Sequence, residues 1–160
     1  MLALLAILGV IYKLVIAPRD LSPAKAFPAP RVTWTMLHGP PYALWAHRGR
    51  VIFLDFYASW CEPCKIETPL VQTYARLHPE VDVIPIDVGE DRVVVADFAR
   101  RYHLPNAALD PQALSRGFFA VQGFPTMIVV DPKGMIRATW SGLNPTIQLA
   151  MSNAEATLKK

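Results

Sequence analysis

Residues 51–57, VIFLDFY, run apolar and aromatic without alternation and are broken by one acid, Asp55. A strand of that pattern is buried on both faces, so the segment predicts the centre of a sheet. Residues 81–88, VDVIPIDV, predict a second buried strand. Between the two, from Glu62 to about His78, the apolar positions Ile66, Leu70, Tyr74 and Leu77 recur at helical spacing. Pro69 falls inside that helix, lacks the N–H of its turn and predicts a kink. Residues 91–102, DRVVVADFARRY, predict a second helix, with an acid in its first turn at the positive end of the dipole. Strand, helix, strand, helix implies right-handed crossovers and a parallel pair.

Elsewhere turn signals punctuate shorter runs. Residues 31–37, RVTWTML, alternate enough for a first edge strand, and residues 38–50 read as a turn-rich connection. Residues 104–123 predict a mixed loop with one helical turn. Residues 125–131 and 135–142 flank the turn sequence DPKG and predict an antiparallel hairpin. Residues 145–160 begin with proline and end with lysines, the polarity of a final helix. A parallel pair joined to a hairpin gives an α/β chain with a central mixed β-sheet flanked by helices.

The first residues differ from the rest. Residues 1–17, MLALLAILGVIYKLVIA, are apolar apart from Lys13 and predict an N-terminal transmembrane helix that serves as an anchor. At about 1.5 Å per residue the run reaches roughly 25 Å, slightly less than a hydrocarbon core, and Lys13 can snorkel to the interface. A cleaved secretory signal is the competing reading, with AKA at 24–26 as its cleavage site. Lys13, Arg19 and Lys25 within and after the apolar run oppose an extracytoplasmic domain by the positive-inside rule. Residues 18–30 are rich in proline and alanine and read as a stalk, which leaves residues 31–160 as the domain.

The chain of 160 residues is long enough for one well-packed domain. Its net charge of +3 is scattered, without the stripe of Lys and Arg that neutralises phosphates, so nucleic acid is not an expected partner.

Both cysteines, Cys61 and Cys64, stand in YASWCEPCKIETP, where the first buried strand gives way to the first helix. A bridge between them closes so small a loop that it removes little entropy from the unfolded chain, which points to chemistry rather than stability. A zinc half-site also uses this spacing, yet His38, His47, His78 and His103 show no matching ligand pair, so no metal is expected. At the helix start, unpaired N–H groups and the dipole favour a thiolate at Cys61, while Glu62 beside it opposes one. Pro63 suits the first turn, where a missing N–H costs nothing. Cys64, one turn further in, is expected to be more buried and protonated. An exposed Cys61 thiolate would then attack a disulfide and Cys64 would resolve the mixed disulfide. Asp55, an acid in a doubly buried strand, is costly unless functional, and desolvation raises its pKa towards that of a general base.

VIFLDFYASWCEPCKIETP, with GFPT at 123–126 and Gly142 after the last strand, resembles the thioredoxin superfamily and, within it, the membrane-anchored extracytoplasmic thiol-disulfide reductases of the TlpA/ResA type. The resemblance runs from about residue 31 to the C-terminus and implies a thioredoxin-like fold. It implies that Cys61 and Cys64 form a redox disulfide, with Cys61 as nucleophile, Cys64 as resolver and Asp55 as proton acceptor for Cys64. It implies that Glu67 tunes the cysteines and contacts substrate. Pro125 matches the family's cis-proline, so that the backbone of Phe124 can pair with a substrate strand. Trp60, Phe124 and Tyr57 would supply an apolar rim, and Glu62 and Pro63 would sit in the substrate-facing motif. ResA-type proteins often carry asparagine where Asp55 stands, so Asp55 pulls the chain toward thioredoxin itself.

The function so implied is protein-disulfide reduction by a membrane-tethered, single-pass protein of the cytoplasmic membrane, its domain on the periplasmic side. Its partners would be disulfide-containing client proteins, as in cytochrome c maturation, and a membrane electron donor of the thiol-disulfide type. No cofactor is expected. A disulfide oxidase or isomerase, and a non-catalytic assembly module, stay open as alternatives. A thioredoxin-fold peroxidase would want Thr-x-x-Cys, whereas Ser59 and Trp60 precede Cys61.

Overall fold

Strand β4 (Ile52–Tyr57) occupies the interior of the sheet, and all six of its residues are buried. The computed structural model describes residues 26–159. On one side β4 pairs in parallel with β5 (Asp82–Val88), and on the other antiparallel with β7 (Thr126–Val130). Beyond β5 lies β6 (Ala108–Asp110), also parallel, followed by β2 (Thr33–Met36) and β3 (Tyr42–Ala43). Beyond β7 lie β8 (Met135–Ser141) and β1 (Phe27–Pro28), which gives the order β1-β8-β7-β4-β5-β6-β2-β3.

The helices are α1 (Glu62–Leu77), α2 (Arg92–Tyr102), α3 (Leu114–Phe119) and α4 (Ile147–Leu158). Side chains alternate along β4, and this sorts the core. Phe53 packs with Val71 and Tyr74 of α1 and Met151 of α4, and Tyr57 packs with Val95 and Phe98 of α2. Ile52, Leu54 and Phe56 face the other way, toward Phe119 of α3 and Leu44 of a short 3-10 turn. The result is the expected mixed sheet flanked by helices, with α1, α2 and α4 on one face.

Polar ties hold the periphery. Asp82, at the start of β5, accepts from the Tyr42 hydroxyl at 3.0 Å and Arg50 Nε at 2.6 Å, and lies 2.7 Å from His47 Nδ1. At the far end of α1, the Tyr74 hydroxyl and Lys159 donate to Glu155, and His78 Nδ1 stands 3.0 Å from it, so α1 is locked to α4. In the DPKG turn Asp131 Oδ1 accepts from the N–H groups of Lys133 and Met135 at 2.9 and 3.0 Å. Gly134 there has φ +81°, a backbone conformation that favours glycine.

Several expectations need correction. Phe27–Pro28, assigned to the stalk, pairs with β8 and so belongs to the sheet. Strand β2 is not an edge, because β3, folded out of the turn-rich segment, covers it. The mixed loop contains strand β6 and helix α3. Asp91 is the N-cap residue of α2 rather than part of its first turn. Helix α1 holds Pro69 inside it, as expected, and continues to Leu77. Its expected apolar stripe is also displaced: Ile66 and Leu77 are 60% and 72% exposed, while Cys64, Glu67, Thr68, Val71 and Gln72 are buried with Tyr74. Among the described residues no helix is long and apolar enough to cross a membrane, and the expected anchor at 1–17 lies outside them.

This displacement is measurable by chemical denaturation. Ile66→Ala should change stability by less than about 0.5 kcal/mol, as for ordinary surface positions. Val71→Ala should cost about 2 kcal/mol, because it removes two buried carbons and leaves a cavity. Equal effects would restore the apolar stripe.

Candidate active site

Strand β4 ends at Tyr57, and four residues later the chain enters α1 with Cys61 as its N-cap. Cys61 has extended backbone angles (φ −79°, ψ 103°), and its Sγ accepts from the backbone N–H of Cys64 at 3.2 Å. A sulfur thus takes the position that a serine or aspartate oxygen fills in most helix caps, where it faces the positive end of the dipole. Cys61 and Cys64 are disulfide-bonded, their Cα atoms 5.3 Å apart. Pro63 lies in the first turn and is exposed, as is Glu62, which pairs with Lys65 at 2.5 Å.

Cys64 is the more buried of the two, yet Cys61 is buried as well, which corrects the expectation of an exposed sulfur in this oxidised state. The reason is apolar cover: Phe124 packs against the cluster that holds both cysteines, and Trp60 meets Phe124 edge-on at 5.9 Å. Trp60 itself is 66% exposed and forms the outer rim. The Phe124–Pro125 bond is cis and Pro125 is buried. Tyr57 belongs to the core, stacked on Phe98 at 4.9 Å, and does not reach the rim.

Two carboxyl groups lie buried on the α1 side of the sheet. Asp55 is 3% exposed, and its pKa is pushed up to about 8, first by desolvation and then by the Glu67 carboxylate. Glu67, three residues after Cys64 on the same buried face, accepts from the Asn144 N–H at 2.6 Å and so ties α1 to the segment before α4. A solvated acid at either position is therefore excluded.

A second acidic group was not singled out from the sequence. Asp87, level with Tyr57 on the neighbouring strand, is fully buried. Its pKa is pushed up to about 8 by burial first and then by nearby Glu90 and Asp110. Burial and Asp87 together raise the pKa of Tyr57. Glu90 accepts from the Ser59 N–H at 2.5 Å and the Ser59 hydroxyl at 2.7 Å, which fixes the loop two residues before Cys61. The signal for Asp87 was the one that marked Asp55, an acid inside a buried strand.

A sheet of this topology with a cysteine pair capping the first helix after its central strand defines a thioredoxin-like protein. The Redoxin family pattern matches residues 24–158, and the chain belongs to that family. The thiol-disulfide oxidoreductase ResA of Bacillus subtilis is 29% identical over 141 residues, 85% of this chain and 78% of that protein. ResA of Geobacillus thermodenitrificans is 28% identical over 117 residues, 71% of this chain and 67% of the relative. The crystal structure of StoA from Bacillus subtilis superposes with a TM-score of 0.65 at 26% identity, covering 79% of this chain and 99% of that one. A thioredoxin-family thiol:disulfide interchange protein from Chlorobium tepidum superposes with a TM-score of 0.74 over 87% of this chain and all of that one, and at 20% identity it shares the fold. The chain is a thiol-disulfide oxidoreductase of the ResA type with a Cys61–Cys64 pair.

The pKa of Asp55 makes stability depend on pH with a definite sign. Its folded pKa of about 8 stands above the ordinary value of 3.8, so the folded state holds the extra proton. The group therefore contributes no penalty below pH 4 and an increasing one as pH climbs to about 8. In oxidised protein the melting temperature should fall between pH 5 and pH 8, and Asp55→Asn should flatten that slope. A wild-type and variant pair with parallel profiles would remove the assignment.

Proposed function

We propose that this oxidoreductase runs in the reducing direction, as a membrane-tethered reductase of disulfides in extracytoplasmic client proteins. The observation that carries the direction is the acidity around the pair: Glu62 adjoins Cys61, and Glu67 is buried on α1 three residues after Cys64. Lys65, the nearby cation, is already paired with Glu62. Strong oxidants owe their potential to a stabilised thiolate in the reduced form. Carboxylates withdraw that stabilisation and make the dithiol the better electron donor.

On this reading the dithiol acts in two steps. The Cys61 thiolate attacks one sulfur of a client disulfide; that S–S bond breaks and the client's other sulfur leaves as a thiolate. Cys64 then gives its proton to the Asp55 carboxylate and attacks Cys61 Sγ, which releases the second client thiolate. The client has gained two electrons and the protein ends as the disulfide. A base with a pKa of about 8 can exchange that proton near neutral pH. Client contact falls to exposed Trp60, to Phe124 with its cis-Pro125 neighbour, and to Glu62 and Pro63. A cavity of about 390 Å³ beside Ser59 is lined by Val93, Val94, Phe98 and Tyr102 together with Lys65, Asp97 and Arg101, and offers room for a client side chain with an apolar stem and a polar end.

Residues 1–17 would place the protein in the cytoplasmic membrane with its domain outside, where apocytochrome c cysteines are one class of client and a membrane dithiol carrier the electron source. The reading rests on the apolar run and on the kinship with ResA.

Redox titration against a glutathione or dithiothreitol series tests the direction. The pair should have a potential at or below thioredoxin's, about −270 mV; a value near −120 mV would make the protein a disulfide donor. In cells, Cys64→Ser should accumulate mixed disulfides through Cys61, and a variant lacking residues 1–17 should leave the membrane fraction. Absence of adducts would count against client reduction, and retention on membranes against the anchor.

A further inference from the structure

A groove of about 1130 Å³ lies between α1 and α2 over the start of β5, and Cys61, Cys64, Trp60, Phe124 and Pro125 take no part in its lining. Its walls are short, with Ala75 on α1 facing Ala96 and Ala99 on α2, and Val83 and Pro85 of β5 between them. Side chains of one carbon cannot bridge two helices, so the space between them stays open. The volume exceeds the roughly 300–1000 Å³ of ordinary small-molecule sites.

The charge of the lining is one-sided. Arg50, Arg76 and Arg100 line the groove against a single acid, Asp82. Asp82 is already saturated by Tyr42, His47 and Arg50, which cancels one of the three arginines. Arg76 bonds the Thr73 hydroxyl at 3.0 Å and has no carboxylate partner among the described residues. Arg100 pairs with Asp97, but that carboxylate is shared with Arg101 at 2.8 Å, so one acid serves two arginines there. An independent sign comes from Gln72, which lines the groove, is 5% exposed, and has no acceptor for its Nε2 among the described residues. A buried amide donor without an acceptor is a cost that a ligand oxygen would relieve.

We infer that this groove binds an extended acidic segment of a partner protein, with apolar side chains between its carboxylates. The carboxylates meet Arg76 and Arg100 at the rim, the apolar side chains lie between the alanine walls, and an oxygen of the segment accepts from Gln72. Charge complementarity selects the sign of the partner, and the volume selects a peptide over a small molecule. The inference is independent of the direction in which the dithiol runs.

The test is fluorescence anisotropy of a labelled, acetylated heptapeptide of alternating Glu and Leu titrated with the full-length protein, beside a peptide with Lys in place of Glu. The acidic peptide should bind saturably and the lysine peptide should not. Affinity should fall tenfold or more in Arg76→Glu and in Arg100→Glu, and about threefold in Gln72→Met, with exchange on a small disulfide unchanged. Both arginines are exposed, so their variants keep the fold, which a thermal melt checks. Absence of saturable binding, equal binding of the lysine peptide, or affinity unchanged in both arginine variants would overturn the inference. Displacement of the peptide by dodecanoate at lower concentration would overturn it in favour of an amphiphilic small molecule.

Discussion

The exclusion of water from β4 is the constraint on which the rest depends. Paired on both sides and covered on both faces, this strand has no position at which a polar side chain can be solvated. Five of its six residues answer with aliphatic or aromatic groups that knit the two halves of the core. The sixth, Asp55, is held where its charge is expensive, and the pKa shift is the measure of that expense. The strand also delivers the chain to the start of α1 from a rigid base. The cysteine pair is therefore mounted on the least deformable element of the sheet.

Around that base the site is assembled from three layers of the chain that are far apart in sequence. The β4–α1 junction supplies the sulfurs, the turn before β7 supplies Phe124 and Pro125, and the loop after β5 supplies Glu90, which grips Ser59. Asn144 closes the arrangement from the fourth side through Glu67. The contacts that hold the site thus span most of the domain, although the bond at its centre joins residues only three apart.

Much of this was legible in the sequence because the strongest signals are local. Continuous apolar runs mark β4 and β5, the DPKG turn marks the β7–β8 hairpin, and the cysteine spacing marks the site. Strand β6 was hidden because its three residues, Ala108–Asp110, lie between prolines and owe their strand state to the neighbours they pair with. The face of α1 was misread for a related reason. A stripe defined by apolar residues assumes that burial follows hydrophobicity, whereas here Glu67, Thr68 and Gln72 are buried and Ile66 and Leu77 are not. Polar residues on an inward face serve the site or the adjacent groove, and no periodicity announces them. Asp87 shows the converse, since the same reasoning that marked Asp55 applied to it in the next strand.

The two outermost strands, β1 and β3, are each two residues long, with Pro28 in one and Pro40 and Pro41 just before the other. An edge so short, and interrupted by residues that donate no N–H, is a poor template for strand addition by a stray chain. A thiol-disulfide oxidoreductase with a long open edge would invite backbone pairing that has nothing to do with its sulfurs. By blunting both margins, the fold leaves few unpaired backbone groups at the ends of the sheet to which another chain could add.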